Sequence, residues 1–222
     1  MRQIEFESVI FDLDGTLTDP REGFVNSIGF ALTSLGRDVP PPETLHRFIG
    51  PPIHSTFAHL LGDSDPTLVE AAVTLYRERL GGDGIRENTL YPGIEDLLKS
   101  LRQDGRRLFV ATAKPVVFAS RILEHCAIAH YFDGVYGSEL ARTNTKKAES
   151  IHSILIDHRI APANAAMIGD REHDIHGARE CGVYSIGVTY GYGSVAELTA
   201  ARADILCNSA TELAETLVLL RS

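Results

Sequence analysis

The sequence predicts an α/β protein: a doubly wound parallel sheet with a smaller all-helical block inserted after the first strand. Two observations carry this. Short β-branched runs alternate with amphipathic helical stretches over the C-terminal two-thirds, the pattern of β-α-β units around a parallel sheet. The stretch between the first such run and about residue 87 is instead helical throughout. Charged residues make up 23% and apolar ones 44% of the 222 residues, an ordinary balance for a globular chain with a sizeable core.

The elements follow in order. "SVIF" (Ser8–Phe11) is short, apolar and β-branched, the signature of a buried strand. "GFVNSIGFALTSLG" (Gly23–Gly36) places Phe24, Ile28, Ala31, Leu32 and Leu35 at helical spacing and closes on a glycine. "VPPPETLHRFIGPPIHSTFAHLLG" reads as two short helices split by Pro51-Pro52, and Asp65–Gly82 as another amphipathic helix ending in glycines. After "ENTLYPG" the alternation begins. Gly93–Gly105 is a helix, Arg107–Thr112 a strand, and Pro115–Cys126 a helix with proline in its first turn. "FDGVYG" is a short strand, Lys146–His158 a helix, and Ala165–Asp170 a strand. "DIHGARECG", "VYSIGVT", "AELTAARA", "DILC" and "TELAETLVLL" continue as helix, strand, helix, strand, helix. The division expected is a core of residues 1–17 and 87–222, with 18–86 as the inserted domain.

Composition excludes several classes of function. A net charge of -9 opposes non-specific nucleic-acid binding. The longest apolar runs are too short to span a bilayer, and "MRQIEFES" carries charges where a signal peptide is apolar. A cytoplasmic protein with no membrane or nucleic-acid partner is expected. Cys126, Cys181 and Cys207 form no CxxC pair and read as reduced thiols.

In an open α/β sheet, ligands bind beyond the carboxyl ends of the strands. Four features fall there: Asp12 and Asp14 after the first strand, Thr112 ending the second, Lys146 and Lys147 at a helix start, and Asp170 and Asp174 in "GDREHD". Clustered carboxylates call for a hard cation, and oxygen ligands with open positions suit Mg²⁺, which takes phosphate oxygens as further ligands. A lysine adds a point charge for a phosphoryl group. Threonine hydroxyls and backbone N–H groups can cradle its oxygens, and Gly15 permits a tight turn beside them. One aspartate could attack phosphorus while the other handles the proton. A calcium-loop reading of "DLDG" fails: counting from Asp12, the sixth residue is Leu17 and the twelfth Gly23, not glycine and carboxylate. Zinc at His173 and His176 is conceivable from their spacing, but the neighbouring carboxylates prefer a harder ion. "TYGYGS" (Thr189–Ser194) either shapes the site rim or is a plain turn.

"FDLDGTLTD", "VATAK", "TKKAES" and "GDREHD", in this order, resemble the four motifs of the haloacid dehalogenase-like hydrolases, and "LYPGIEDLL" with "GDREHDIHGAREC" resembles their phosphoglycolate-phosphatase-like branch. The resemblance covers essentially the whole chain. It implies a Rossmann-like core with a helical cap, an aspartyl-phosphate on Asp12, and Asp14 as the acid and base. Mg²⁺ would be held by the Asp12 side chain, the Asp14 main-chain carbonyl and Asp170, with Asp174 behind them reaching metal-bound water or orienting the lysine. Gly15, Thr16, Thr112, Ala113 and a lysine would contact the phosphoryl group. Lys147 fits the family spacing better than Lys146, and the two point about 100° apart on a helix, so one alone can serve. Lys114 either faces the site or is a solvated lysine. Dehalogenases do not need the second carboxylate, and Asp14 is present; Thr16 leans from a sugar phosphomutase towards a phosphatase. The expected substrate is a small phosphorylated metabolite, phosphoglycolate-like or a nucleoside monophosphate, with a non-catalytic binding protein as a further alternative. Within the cap, Arg21, Arg47 and Gly50 of "IGPP" are the expected substrate contacts. Oligomeric state is not encoded in any of these features.

Overall fold

The computed structural model describes residues 6–62, 65–140 and 146–219. Thr145, the first residue of "TKKAES", lies outside them. Six parallel strands form one sheet in the order β5-β4-β1-β6-β7-β8. They are β1 (Ser8–Phe11), β4 (Arg107–Pro115), β5 (Gly134–Ser138), β6 (Ala165–Gly169), β7 (Tyr184–Val188) and β8 (Ile205–Cys207). β1 sits between β4 and β6, with Phe11 opposite both Val110 and Ile168. That register brings Asp12 and Asp170, just past β1 and β6, level with Thr112 in the C-terminal half of β4, at the carboxyl end of the sheet.

Both faces of the sheet are covered, which is why its strands read as continuous apolar runs. On one face Ile10, Phe109, Ala111 and Met167 pack with Ile151, Ile154 and Leu155 of α7 (Lys147–Asp157) and Ala178 of α8 (Glu172–Glu180). On the other face Val9, Phe11, Leu108, Val110, Ala166 and Ile168 pack with α5 (Ile94–Gln103), α6 (Val116–His125) and α10 (Ala210–Leu219). Fully burying one such side chain stabilises the fold by roughly 1.5–3 kcal/mol. α9 (Val195–Ala200) closes the edge near α8 through Leu198 and Ile175.

The inserted block is helical as its periodicity predicts: α1 (Arg21–Ser34), α2 (Pro42–Leu45), α3 (Ile53–Leu60) and α4 (Pro66–Arg79). α1 and α3 both pack on α4. The rings of Phe24 and Phe57 each meet Tyr76 edge-on at 6.0 Å, a favourable aromatic arrangement. One element was not legible in the sequence. Thr18–Asp19 (β2) pairs antiparallel with Thr89–Leu90 (β3), so a two-stranded ribbon joins the helical block to the sheet. The ribbon lies astride the borders expected at residues 18 and 86. Among the described residues, no helix is long and apolar enough to cross a membrane.

Candidate active site

Asp12 follows β1, and its amide donates to the Ile168 carbonyl at 2.9 Å, fixing it beside β6. One carboxylate oxygen each from Asp12, Asp170 and Asp174 lie within 4.8 Å of one another, and all three residues are buried. Lys147 opens α7 and inserts between two of them, with Nζ 2.8 Å from Asp12 Oδ1 and 2.7 Å from Asp174 Oδ1. The same ammonium donates to the Ala111 carbonyl at 2.9 Å. Burial disfavours its charge, but Asp12 and Asp174 outweigh burial and raise its pKa. Lys146 precedes the helix and is exposed.

Three buried carboxylates against one ammonium leave two negative charges without a countercharge. Burial, with Asp174 and Asp12 nearby, pushes the Asp170 carboxyl well above its usual range. Burial also raises Asp174, against the pull of Lys147, to about 6. A dication would remove that penalty, and an all-oxygen, all-carboxylate donor set fits a hard ion such as Mg²⁺. Among the described residues no His or Cys joins a metal-holding group, so His173 and His176, both exposed, do not form the zinc site that their spacing allowed.

Asp170 is gripped from two sides. Its Oδ2 accepts from the Tyr192 amide at 2.8 Å, and its Oδ1 receives a long contact of 3.4 Å from the Thr16 hydroxyl. Gly15 turns at φ +88° directly against it: a Cβ there would stand 2.2 Å from Asp170 Oδ2. A Cβ on Gly193 would stand 1.8 Å from the Asp170 carbonyl oxygen. "TYGYGS" is therefore more than a plain turn. Tyr190 adds a hydrogen bond from its hydroxyl to the Thr16 carbonyl at 3.0 Å, and the Tyr192 hydroxyl bonds Asp19. The alternation of glycine and tyrosine was the available signal for this clamp. Asp174 completes the loop by accepting from the Arg171 amide at 3.1 Å.

Asp14 points elsewhere. Its Oδ2 pairs with Lys114 Nζ at 2.9 Å, while Oδ1 is buried without a hydrogen-bond partner among the described residues. Burial raises the Asp14 pKa, opposed by Lys114 and reinforced by Asp12. Lys114 is thus a buried partner of Asp14 rather than a solvated lysine. Thr112 is buried at the end of the strand core, and its hydroxyl accepts from the Lys114 amide at 3.2 Å.

Two cavities adjoin these carboxylates. One of about 300 Å³ borders Asp12, Lys147 and Asp174; a smaller one of about 60 Å³ borders Asp14, Phe24, Tyr76, Arg77 and Phe118. Gly50, Pro52 and Ala113 line both, so the "IGPP" turn roofs the site where the cavities meet. Arg21 and Arg47 are not brought there. Arg21 pairs with Asp19 at 3.2 Å near the ribbon, and Arg47 lies over the Phe48 ring and meets His59 at 3.2 Å.

The fold and cluster define the class, and comparison with known proteins agrees. Residues 9–188 match the family described as haloacid dehalogenase-like hydrolase. The chain belongs to that family and is an enzyme, a haloacid dehalogenase-like phosphatase. It is 44% identical over 214 residues to a 5'-nucleotidase of Pseudomonas aeruginosa, covering 96% of each chain. It is 37% identical to the tyrosine-protein kinase PtkA of Mycobacterium tuberculosis, covering 94% of this chain and 72% of that protein. The crystal structure of a predicted phosphatase from Clostridium acetobutylicum superimposes with a TM-score of 0.91 at 40% identity, over 97% of this chain and 99% of that one.

Proposed function

We propose that the chain is a cytoplasmic, Mg²⁺-dependent phosphatase that hydrolyses a small phosphomonoester through an aspartyl-phosphate on Asp12. One observation carries the reading: two aspartates two residues apart face different cavities with different partners. Asp12 lies in the anionic cluster beside Lys147, and Asp14 lies in the apolar cleft under the cap.

The roles follow from those surroundings. Asp12, Asp170 and the Asp14 main-chain carbonyl hold Mg²⁺. When bound, the ion offsets the charge of the carboxylates and of the incoming phosphoryl oxygens. Lys147 neutralises Asp12 and Asp174 and fixes the Asp12 carboxylate in place for attack. Thr112, Thr16 and the amides around Gly15 and Ala113 receive phosphoryl oxygens. Asp12 Oδ attacks phosphorus as the bond to the leaving oxygen breaks. Asp14, whose raised pKa favours the protonated form, gives its proton to that oxygen. The same carboxylate then takes a proton from water as the water displaces Asp12 and releases phosphate. The lid of cap residues excludes bulk water meanwhile.

A nucleoside monophosphate is the substrate class that the 5'-nucleotidase relative supports; phosphoglycolate is the other candidate. A panel of nucleoside monophosphates, phosphoglycolate and hexose phosphates, assayed for phosphate release with and without Mg²⁺, tests the proposal. Release from a monoester that requires Mg²⁺ supports it. No Mg²⁺-dependent release from any member overturns it.

A further inference from the structure

Arg171 follows Asp170 directly, yet its side chain leaves the carboxylate cluster. Its Nε donates to Glu197 Oε1 at 2.8 Å, and its Nη1 donates to the carbonyl of Ile49, in the cap, at 2.6 Å. The side chain is only 14% exposed. Glu197 is itself anchored: the same Oε1 accepts from the Glu172 amide at 3.0 Å, and the Glu197 amide donates to Ser194 Oγ at 3.0 Å. The guanidinium is therefore held rigid from the core side and presents one donor upward to the cap. The cap turn is shaped to meet it. Gly50 has φ +104°, and a Cβ there would stand 3.0 Å from Arg171 Cγ. The turn thus lies on the aliphatic stem while its carbonyl takes the charged tip, the two-part contact that arginine is suited to make.

We propose that Arg171 is a positioning residue that latches the Ile49–Pro52 turn of the cap over the catalytic cluster. It rests on the phosphatase reading for its catalytic consequence, not for the contact itself. Gly50 and Pro52 roof both the Asp12 and the Asp14 cavities, so the position of this turn decides whether the two carboxylates share one closed chamber. A hydrogen bond from a charged donor, largely shielded from water, is of the strength that shifts a closing equilibrium appreciably.

The test compares wild type with Arg171→Ala and Gly50→Ala, the second perturbing the latch from the cap side without substituting any residue of the Asp170 loop. Amide hydrogen exchange of the metal-free proteins reads the contact without any activity. Both variants are expected to lose protection in residues 46–60, with β6 and α8 unchanged. Turnover of p-nitrophenyl phosphate is expected to fall about tenfold in kcat/KM, the loss of a closing preference of about 1.4 kcal/mol, with half-saturation by Mg²⁺ unchanged. Unaltered exchange in residues 46–60 overturns the latch. So does a shift in Mg²⁺ half-saturation that accounts for the whole loss of turnover, because a residue that merely supports Asp170 would act that way. If no variant and no wild-type sample turns over substrate while the exchange differences appear, the latch stands and the phosphatase reading falls.

Discussion

Lys147→Met gives the sharpest test of the site's electrostatics. In the wild type one ammonium contacts Asp12 and Asp174 at 2.8 and 2.7 Å and also caps the Ala111 carbonyl. Methionine keeps the stem but leaves three buried carboxylates uncompensated. Removing one partner of a buried ion pair costs about 3–5 kcal/mol. For a chain of this size that corresponds to a fall in Tm of roughly 6–20 °C. The assay is urea and thermal unfolding in chelator at neutral pH. Lys147 has a raised pKa, so its contribution is complete below the unfolded amine value and is lost only as pH rises through the raised one. At neutral pH it is fully present. In the variant, the carboxylates escape their repulsion by taking up protons, so the deficit should shrink as pH falls. A loss below about 1 kcal/mol in the metal-free protein, or a deficit that grows on acidification, would refute the reasoning.

Other outcomes follow from the same geometry. Asp14→Asn should lower kcat/KM, which reports phosphoryl transfer to Asp12 and not the later hydrolysis, about 10²–10⁴-fold on a nucleoside monophosphate but much less on p-nitrophenyl phosphate, whose leaving group needs no proton; equal losses in kcat/KM would contradict the acid role. Gly193→Ala places a Cβ where the Asp170 carbonyl oxygen stands, and should cost about 1–3 kcal/mol in urea unfolding while weakening Mg²⁺ binding. Asp170 and Asp174 have raised pKa values, Asp174 to about 6. A raised carboxyl favours the folded state at low pH and loses that advantage as pH rises through its folded value. Metal-free protein should therefore lose Tm as pH rises through about 6, and the stabilisation by a fixed Mg²⁺ concentration, about 2.7 kcal/mol where that concentration is one hundred times Kd, should widen over the same range. A gap independent of pH would contradict it.

What could be read from the sequence was what local pattern encodes. β1 is a continuous apolar run because both its faces are covered, and of the helical positions expected to face inward Phe24, Ile28, Ala31 and Leu32 are buried while Leu35, at the helix end, is half-buried. The convergence of Asp12, Thr112 and Asp170 needed only the strand ends and a parallel sheet. The ribbon at Thr18–Asp19 and Thr89–Leu90 escaped notice because two residues carry no period. The helix expected to end at Gly82 instead runs on from α4 as a wider turn over Leu80–Gly84. Lys114 was ambiguous because its partner Asp14 is remote in the chain, and pairing between distant residues leaves no spacing to read. Arg171 contacts a backbone carbonyl, which any residue could supply, so "GDREHD" marked only its aspartates. Arginines looked like substrate contacts by chemistry alone; in the structure Arg21 pairs with Asp19 and Arg47 meets His59.

The central claim is that Asp12 forms a covalent bond to phosphorus. Rapid quenching of the enzyme with Mg²⁺ and a substrate, followed by peptide mass spectrometry, reads it directly. The account predicts a phosphoryl group on the peptide from β1, located at Asp12, and neither label nor turnover in Asp12→Asn. Label on another residue, or undiminished phosphate release from Asp12→Asn, would contradict it.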